Sequence, residues 1–213
     1  MLFRSRAMTP IRVAIVDDHP ALREGVAAIL EREPDLRIVA LAGSLADARP
    51  LLTGPDAPDV IVLDIRLGGD RGLELLADRP PGATRPAIVV WTAWDLPQYA
   101  TWSARAGAAG FVLKTAPTAE LVTAIRRVAD GGVHFALRPD PGHRDLTVRE
   151  REVAAALVEG LSNDEIGARL GVSTRAVEAH LTRLFERFGV QSRTELARRL
   201  DRDGWLDLPP TAR

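Results

Sequence analysis

Lysine occurs once in this chain, at position 114, although lysine and arginine together number 28. Every other side-chain cation is a guanidinium or an imidazolium. A compact ammonium with three donors suits a point-like anionic group that a planar fork does not, which singles out Lys114. It closes a short apolar run, Phe111 to Leu113, and three further runs end in reactive groups. Val13 to Val16 leads into Asp17-Asp18, Val60 to Leu63 into Asp64, and Ile88 to Trp91 into Thr92. If those ends converge, three carboxylates repel one another and call for a divalent cation. Hard Mg²⁺ takes oxygen ligands and commonly only one or two carboxylates. Asp18 and Asp64 are the expected ligands, with Asp17 acting directly or through water. A carboxylate can also attack phosphorus to form an aspartyl phosphate. Asp64 is the expected nucleophile because it ends the central strand and opens its own loop, Ile65 to Gly69. The cation and Lys114 would offset charge on the transferring oxygens, and the Thr92 hydroxyl would donate to them.

Residues that distant in sequence meet only if the elements carrying them form one sheet. Over the first 130 residues, short β-branched runs alternate with longer helical patterns, which predicts a parallel sheet with crossover helices. Strands are expected near 11–16, 36–41, 59–63, 86–91 and 109–113, and helices near 20–32, 44–53, 71–79, 96–106 and 117–130. That is an α/β domain with a five-stranded, doubly wound parallel sheet over 9–132. Ligands of such sheets bind beyond the carboxyl ends of the strands, where all five residues fall.

A segment over 133–145 follows, rich in proline and glycine and without apolar periodicity, and reads as a linker. From residue 146 to 208 the pattern is helical throughout and predicts a small all-α, four-helix domain. Three hydroxyls each stand three residues ahead of a glutamate, Thr147 with Glu150, Ser162 with Glu165 and Ser192 with Glu195, the spacing of a capping box. A further helix starts after Ser173 and stops at Gly189. Its buried stripe is Val177, Leu181, Leu184, Phe185 and Phe188; Arg175, Glu178, Ala179, Thr182, Arg183 and Glu186 face the other way. Residues 162–170, the turn at Gly171-Val172 and this helix make a helix-turn-helix.

Bulk properties narrow the chemistry. With no cysteine among 213 residues, disulfides, thiolate nucleophiles and cysteine zinc sites are excluded. The first ten residues lack the apolar stretch of a signal peptide, Met8 could serve as the start, and no window is apolar enough for a membrane span, so a cytoplasmic protein without membrane contact is expected. A net charge of −1 argues against a protein that coats nucleic acid. Affinity for DNA must come from clustering, and Arg175 to Arg199 holds six arginines against three glutamates.

Taken in order, Asp17-Asp18, Asp64, Thr92-Ala93 and Gly110 to Lys114 resemble the receiver domain of bacterial response regulators. Leu146 to Val153, followed by Glu159 to Ile166, resembles the LuxR-type helix-turn-helix. Over residues 11–200 the chain is similar to a NarL/FixJ-type two-component regulator. The resemblance implies that Asp64 accepts phosphate from a sensor histidine kinase, and that the Arg66 backbone carbonyl joins Asp17, Asp18 and Asp64 around Mg²⁺. Thr92 and Lys114 would hold the phosphoryl group, and Phe111 would be the aromatic switch that follows Thr92 inward. It further implies a homodimer on phosphorylation, double-stranded DNA half-sites read by Arg175, Glu178, Ala179, His180, Thr182 and Arg183, and no enzymatic turnover beyond autophosphorylation and slow self-dephosphorylation. Gly68-Gly69 stand where the family commonly has a proline, which implies a more mobile loop.

Simpler readings compete at each position. Asp17-Asp18 alone reads as a solvated loop pair, Thr92 as a strand-end hydroxyl and Lys114 as a snorkelling surface lysine. Their joint placement outweighs these. His19 reads as a loop histidine that starts the first helix ahead of Pro20, and His134 and His143 as structural. Two rival functions remain: a phosphate-independent DNA-binding module whose receiver is a dimerisation scaffold, and a Mg²⁺-dependent phosphatase with an aspartyl nucleophile. The phosphatases of that kind carry Asp-x-Asp at the first strand end, where this chain has Asp17-Asp18-His19.

Overall fold

A computed structural model describes residues 9–80, 82–137 and 145–206. Met8, the linker centre with His143, and the end of the helical domain at 208 lie outside the described residues. The chain divides into two compact units, Met1–Pro141 and Gly142–Arg213.

In the first unit, β1 (Ile11–Val16), α1 (Pro20–Leu30), β2 (Leu36–Ala42), α2 (Leu45–Ala48) and β3 (Val60–Leu63) are followed by a small hairpin, β4 (Arg66–Leu67) and β5 (Asp70–Arg71). Then come α3 (Glu74–Ala77), β6 (Ala87–Thr92), α4 (Pro97–Arg105), β7 (Gly110–Leu113), α5 (Thr118–Ala129) and β8 (His134–Phe135). The sheet runs β2-β1-β3-β6-β7-β8 and every pair in it is parallel. All residues of β3 and β6 are buried, as sheets covered on both faces require, which is why their sequences read as unbroken apolar runs. Val26, Ala27 and Leu30 of α1, with Leu121, Val122, Ala124, Ile125 and Val128 of α5, join this core.

The sheet has six strands rather than the five expected. β8 lies at the start of the segment read as linker, where His134 N donates to Ala109 O and Ala136 N to Phe111 O. Two residues on a sheet edge carry no alternation for sequence reading to detect. Elements also differ in extent. The helix expected over 44–53 is α-helical for one turn and continues as a 3₁₀ turn over Arg49–Leu52, because Pro50 has no amide to sustain the α ladder. The helix expected over 71–79 is reduced to α3, since the residues ahead of it form the β4–β5 hairpin. The loop expected to be mobile is thus a two-residue turn, with Gly68 in the left-handed region at φ 64°.

The second unit contains, among the described residues, α6 (Val148–Val158), α7 (Asn163–Leu170), α8 (Thr174–Phe188) and α9 (Arg193–Arg202). They close on Leu146, Val153, Leu157, Ile166, Val177, Leu181, Leu184, Leu196 and Leu200. Thr147–Glu150 and Ser162–Glu165 form complete capping boxes. The third is half formed: Ser192 accepts from Glu195 N, but the Glu195 carboxylate takes the Gln191 amide instead of that of Ser192. Gly171 and Gly189, both left-handed, end α7 and α8.

Candidate functional site

Strand order reverses direction between β1 and β3, so the first site lies at the switch point of the sheet. Val16 pairs with Leu63, which brings the next residues of both strands, Asp17 and Asp64, side by side. Thr92 pairs with Leu113, and Lys114 N donates to Thr92 O at 2.7 Å, so the other two members follow in the same row. Lys114 Nζ bridges the carboxylates, donating to Asp17 Oδ2 at 2.6 Å and Asp64 Oδ2 at 2.5 Å. All three side chains are largely shielded, with the lysine side chain 11% exposed. Burial pushes the Asp64 pKa up and the Asp17 charge adds to this; the hydrogen bond and charge of Lys114 oppose it without reversing it.

Asp18 stands at the rim. Its Oδ2 accepts from Gly68 N at 2.8 Å, so the hairpin turn fixes one oxygen of this carboxylate. The other, Oδ1, is out of solvent and receives no hydrogen bond, although His19 Nδ1 is 2.9 Å from it. Ligand atoms of Asp17, Asp18, His19 and Asp64 lie within 4.8 Å of one another. Three carboxylates against one ammonium, with a buried oxygen lacking a donor, form a donor set that fits a hard divalent cation. Thr92 is fully buried and its Oγ1 accepts from Trp94 N at 3.3 Å. Phe111 lies wholly within the core rather than among the polar groups.

Other residues that shape the site gave weaker signals. A Cβ on Gly72 would stand 1.9 Å from Asp64 O, so only glycine lets the hairpin return so close to Asp64. Arg23 Nη1 donates to Asp17 O at 2.5 Å, and the Trp91 ring centroid is 5.0 Å from Lys114 Nζ. His19, read as a loop residue, does cap α1 through its backbone but makes no side-chain cap; its ring turns to the acids instead.

The second candidate site is the outer face of α8. Arg175, Glu178, Ala179, Thr182 and Arg183 are exposed, while Val177, Leu181 and Leu184 hold the helix to its core. His180 is half-buried beside Arg183 Nη2, 3.2 Å away; burial first, then that guanidinium, lowers its pKa. The turn ahead of α8 is fixed by Thr174 Oγ1 donating to Asp164 Oδ1 at 2.6 Å. A Cβ on Gly167 would meet Val172 O at 2.8 Å, so α7 needs glycine where the turn crosses it.

Residues 13–126 match the family model of the response regulator receiver domain, and residues 144–200 that of the bacterial regulatory proteins of the luxR family. The transcriptional regulatory protein UhpA of Escherichia coli is 40% identical over 200 residues, covering 92% of this chain and 100% of that protein. The nitrate/nitrite response regulator NarP of the same organism is 37% identical over 199 residues, 87% and 92% of the two chains. A solved structure of two RcsB dimers bound to two parallel DNAs shares the fold at a TM-score of 0.61, with 22% identity over 90% of this chain and 98% of that one.

Proposed function

The chain belongs to the NarL/FixJ-type response regulators of two-component systems, transcription regulators that join a receiver to a LuxR-type DNA-binding domain, and within that family we propose that Asp64 is its phosphoacceptor. The Lys114 amine shared by Asp17 and Asp64 carries this reading, because it gathers nucleophile, acid pair and cation at one point. The donor is the phosphohistidine of a sensor histidine kinase. Asp64 Oδ attacks phosphorus, the P–N bond breaks, and the imidazole leaves with the electron pair. Thr92 and Lys114 then hydrogen-bond the phosphoryl oxygens, and Phe111 fills the space that Thr92 vacates.

Asp17, Asp18 and Asp64, with the Arg66 carbonyl, would hold Mg²⁺, which when bound supplies charge compensation for the phosphoryl oxygens. The domains proposed are a receiver over 9–132, a linker over 133–145 and a DNA-binding domain over 146–208, with β8 extending the receiver sheet two residues past Val133. Phosphorylated chains pair as a homodimer, and each α8 enters a major groove. Arg175 and Arg183 contact phosphate, while Glu178, Ala179, His180 and Thr182 face base edges and sugar. No helix among the described residues is long and apolar enough to cross a membrane; the location proposed for a regulator of DNA is the cytoplasm.

Incubation with ³²P-labelled kinase tests the assignment. Wild type takes up acid-stable, base-labile label and Asp64→Asn takes up none, with an unchanged circular dichroism spectrum. Stable labelling of Asp64→Asn sinks the proposal.

A further inference from the structure

The imidazole of His19 has no role in the chemistry above, yet it faces the acids. Its Nδ1 is 2.9 Å from Asp18 Oδ1 and 3.5 Å from Asp17 Oδ1. Because Asp18 Oδ1 accepts no hydrogen bond, the close approach is not a directed N–H···O contact. Two ligand atoms each about 2.0–2.2 Å from one ion lie roughly 3 Å apart at a right angle and about 3.5 Å apart at a tetrahedral one. Both separations fall within the range of ligand-to-ligand distances around one ion, and the His19 backbone amide, donating to Asp17 Oδ1 at 2.8 Å, holds the residue in this position.

We propose that His19 is a further ligand at this site, beside the three carboxylates and the Arg66 carbonyl, and that it gives the site a preference for borderline transition-metal divalent ions over Mg²⁺. The inference rests on the metal site proposed above. Imidazole nitrogen favours Co²⁺, Ni²⁺, Cu²⁺ and Zn²⁺, whereas Mg²⁺ gains little from exchanging a water for nitrogen. Asp18 is braced by the hairpin amide on Oδ2, which leaves Oδ1 turned toward the imidazole. Pro20 begins α1 directly after His19, so the backbone that presents the ring is held by the start of the helix. The consequence is a receiver whose resident ion depends on the metals available, and His19 sets that dependence.

Co²⁺ is the probe, because its visible spectrum reports nitrogen ligation without reference to phosphoacceptance. The full chain is titrated with Co²⁺ and separately with Mg²⁺, following the Co²⁺ bands and the quenching of tryptophan fluorescence, for wild type, His19→Ala, His19→Gln and Asp18→Asn. The expected result is a ratio of Co²⁺ to Mg²⁺ affinity at least tenfold lower in both His19 variants, with altered Co²⁺ bands, while Asp18→Asn weakens both ions. His19 is largely exposed, so these variants are expected to fold. An unchanged ratio with unchanged bands overturns the role of His19 and leaves the carboxylate site standing. Failure of the wild type to bind either ion overturns the metal site itself, and this inference with it.

Discussion

Burial and the neighbouring Asp17 charge raise the pKa of Asp64 above its ordinary 3.8 despite the lysine bonded to it. For an acid whose folded-state value is raised, ionisation costs folding free energy. The associated stability is whole below the ordinary value and lost as pH rises through the folded one. Where Asp64 is ionised the site therefore carries a charge that the fold disfavours, and a bound cation would relieve it. Two measurements check this on metal-free protein. The Asp64 carboxyl carbon should titrate above 3.8 by NMR, and Asp64→Asn should melt higher by a few degrees, equivalent to about 1 kcal/mol. Titration at or below 3.8, with no gain in the Asn variant, would mean that Lys114 outweighs burial. The reactive side chains were legible in the sequence because each ends an apolar run, and only a buried parallel strand leaves such a run. His19 was not, since a histidine ahead of proline has a sufficient account as the start of a helix. Its ring direction is decided by carboxylates one and two residues away.

At the level of elements, sequence reading was accurate where periodicity is long and weak where a few residues make a structure. α8 begins after Ser173 and ends at Gly189 as its stripe and its left-handed glycine require. The β4–β5 hairpin escaped because two residues per strand show no alternation, and its Gly-Gly turn reads equally as an open loop. That hairpin supports the site at two points: the Gly68 amide on Asp18, and Gly72 against the Asp64 carbonyl. Gly72→Ala must push the Asp64 backbone aside. The expected cost is about 1–3 kcal/mol in denaturant unfolding, together with loss of phosphoacceptance in the fraction that remains folded. Thr147→Ala supplies the contrast in the other unit. It removes an acceptor 3.2 Å from Glu150 N and should cost about 1 kcal/mol, with phosphoacceptance intact. Equal loss of acceptance in both variants would show that Gly72 acts through global stability alone.

For the whole molecule, the question is which contact makes DNA binding depend on phosphate. Moving a two-state equilibrium from 1:99 to 99:1 takes about 5.5 kcal/mol, and one hydrogen bond to a charged group contributes about 1.5–3 kcal/mol. Thr92 and Lys114 together come close to that figure only if neither contact exists beforehand. Lys114, however, already bonds Asp17 and Asp64, so moving it to a phosphoryl oxygen is an exchange rather than a gain. Thr92 is different: its oxygen accepts one amide at 3.3 Å, and its hydroxyl proton remains available for a new acceptor. Because only a difference between states shifts an equilibrium, Thr92 has to supply more of the switch than Lys114. The gain in affinity for an operator duplex on adding beryllofluoride, a phosphoryl mimic, should therefore fall about 10- to 150-fold in Thr92→Val, with unmodified affinity unchanged. Arg175→Ala should behave oppositely. If Arg175 contacts phosphate as proposed, the variant weakens both states alike and reduces the slope of log K against log salt by about 1 per half-site, since it removes no part of the switch. A Thr92→Val protein that keeps the full beryllofluoride response would place the switch elsewhere. A wild type whose salt-matched affinity ignores beryllofluoride would leave the receiver as a scaffold for pairing.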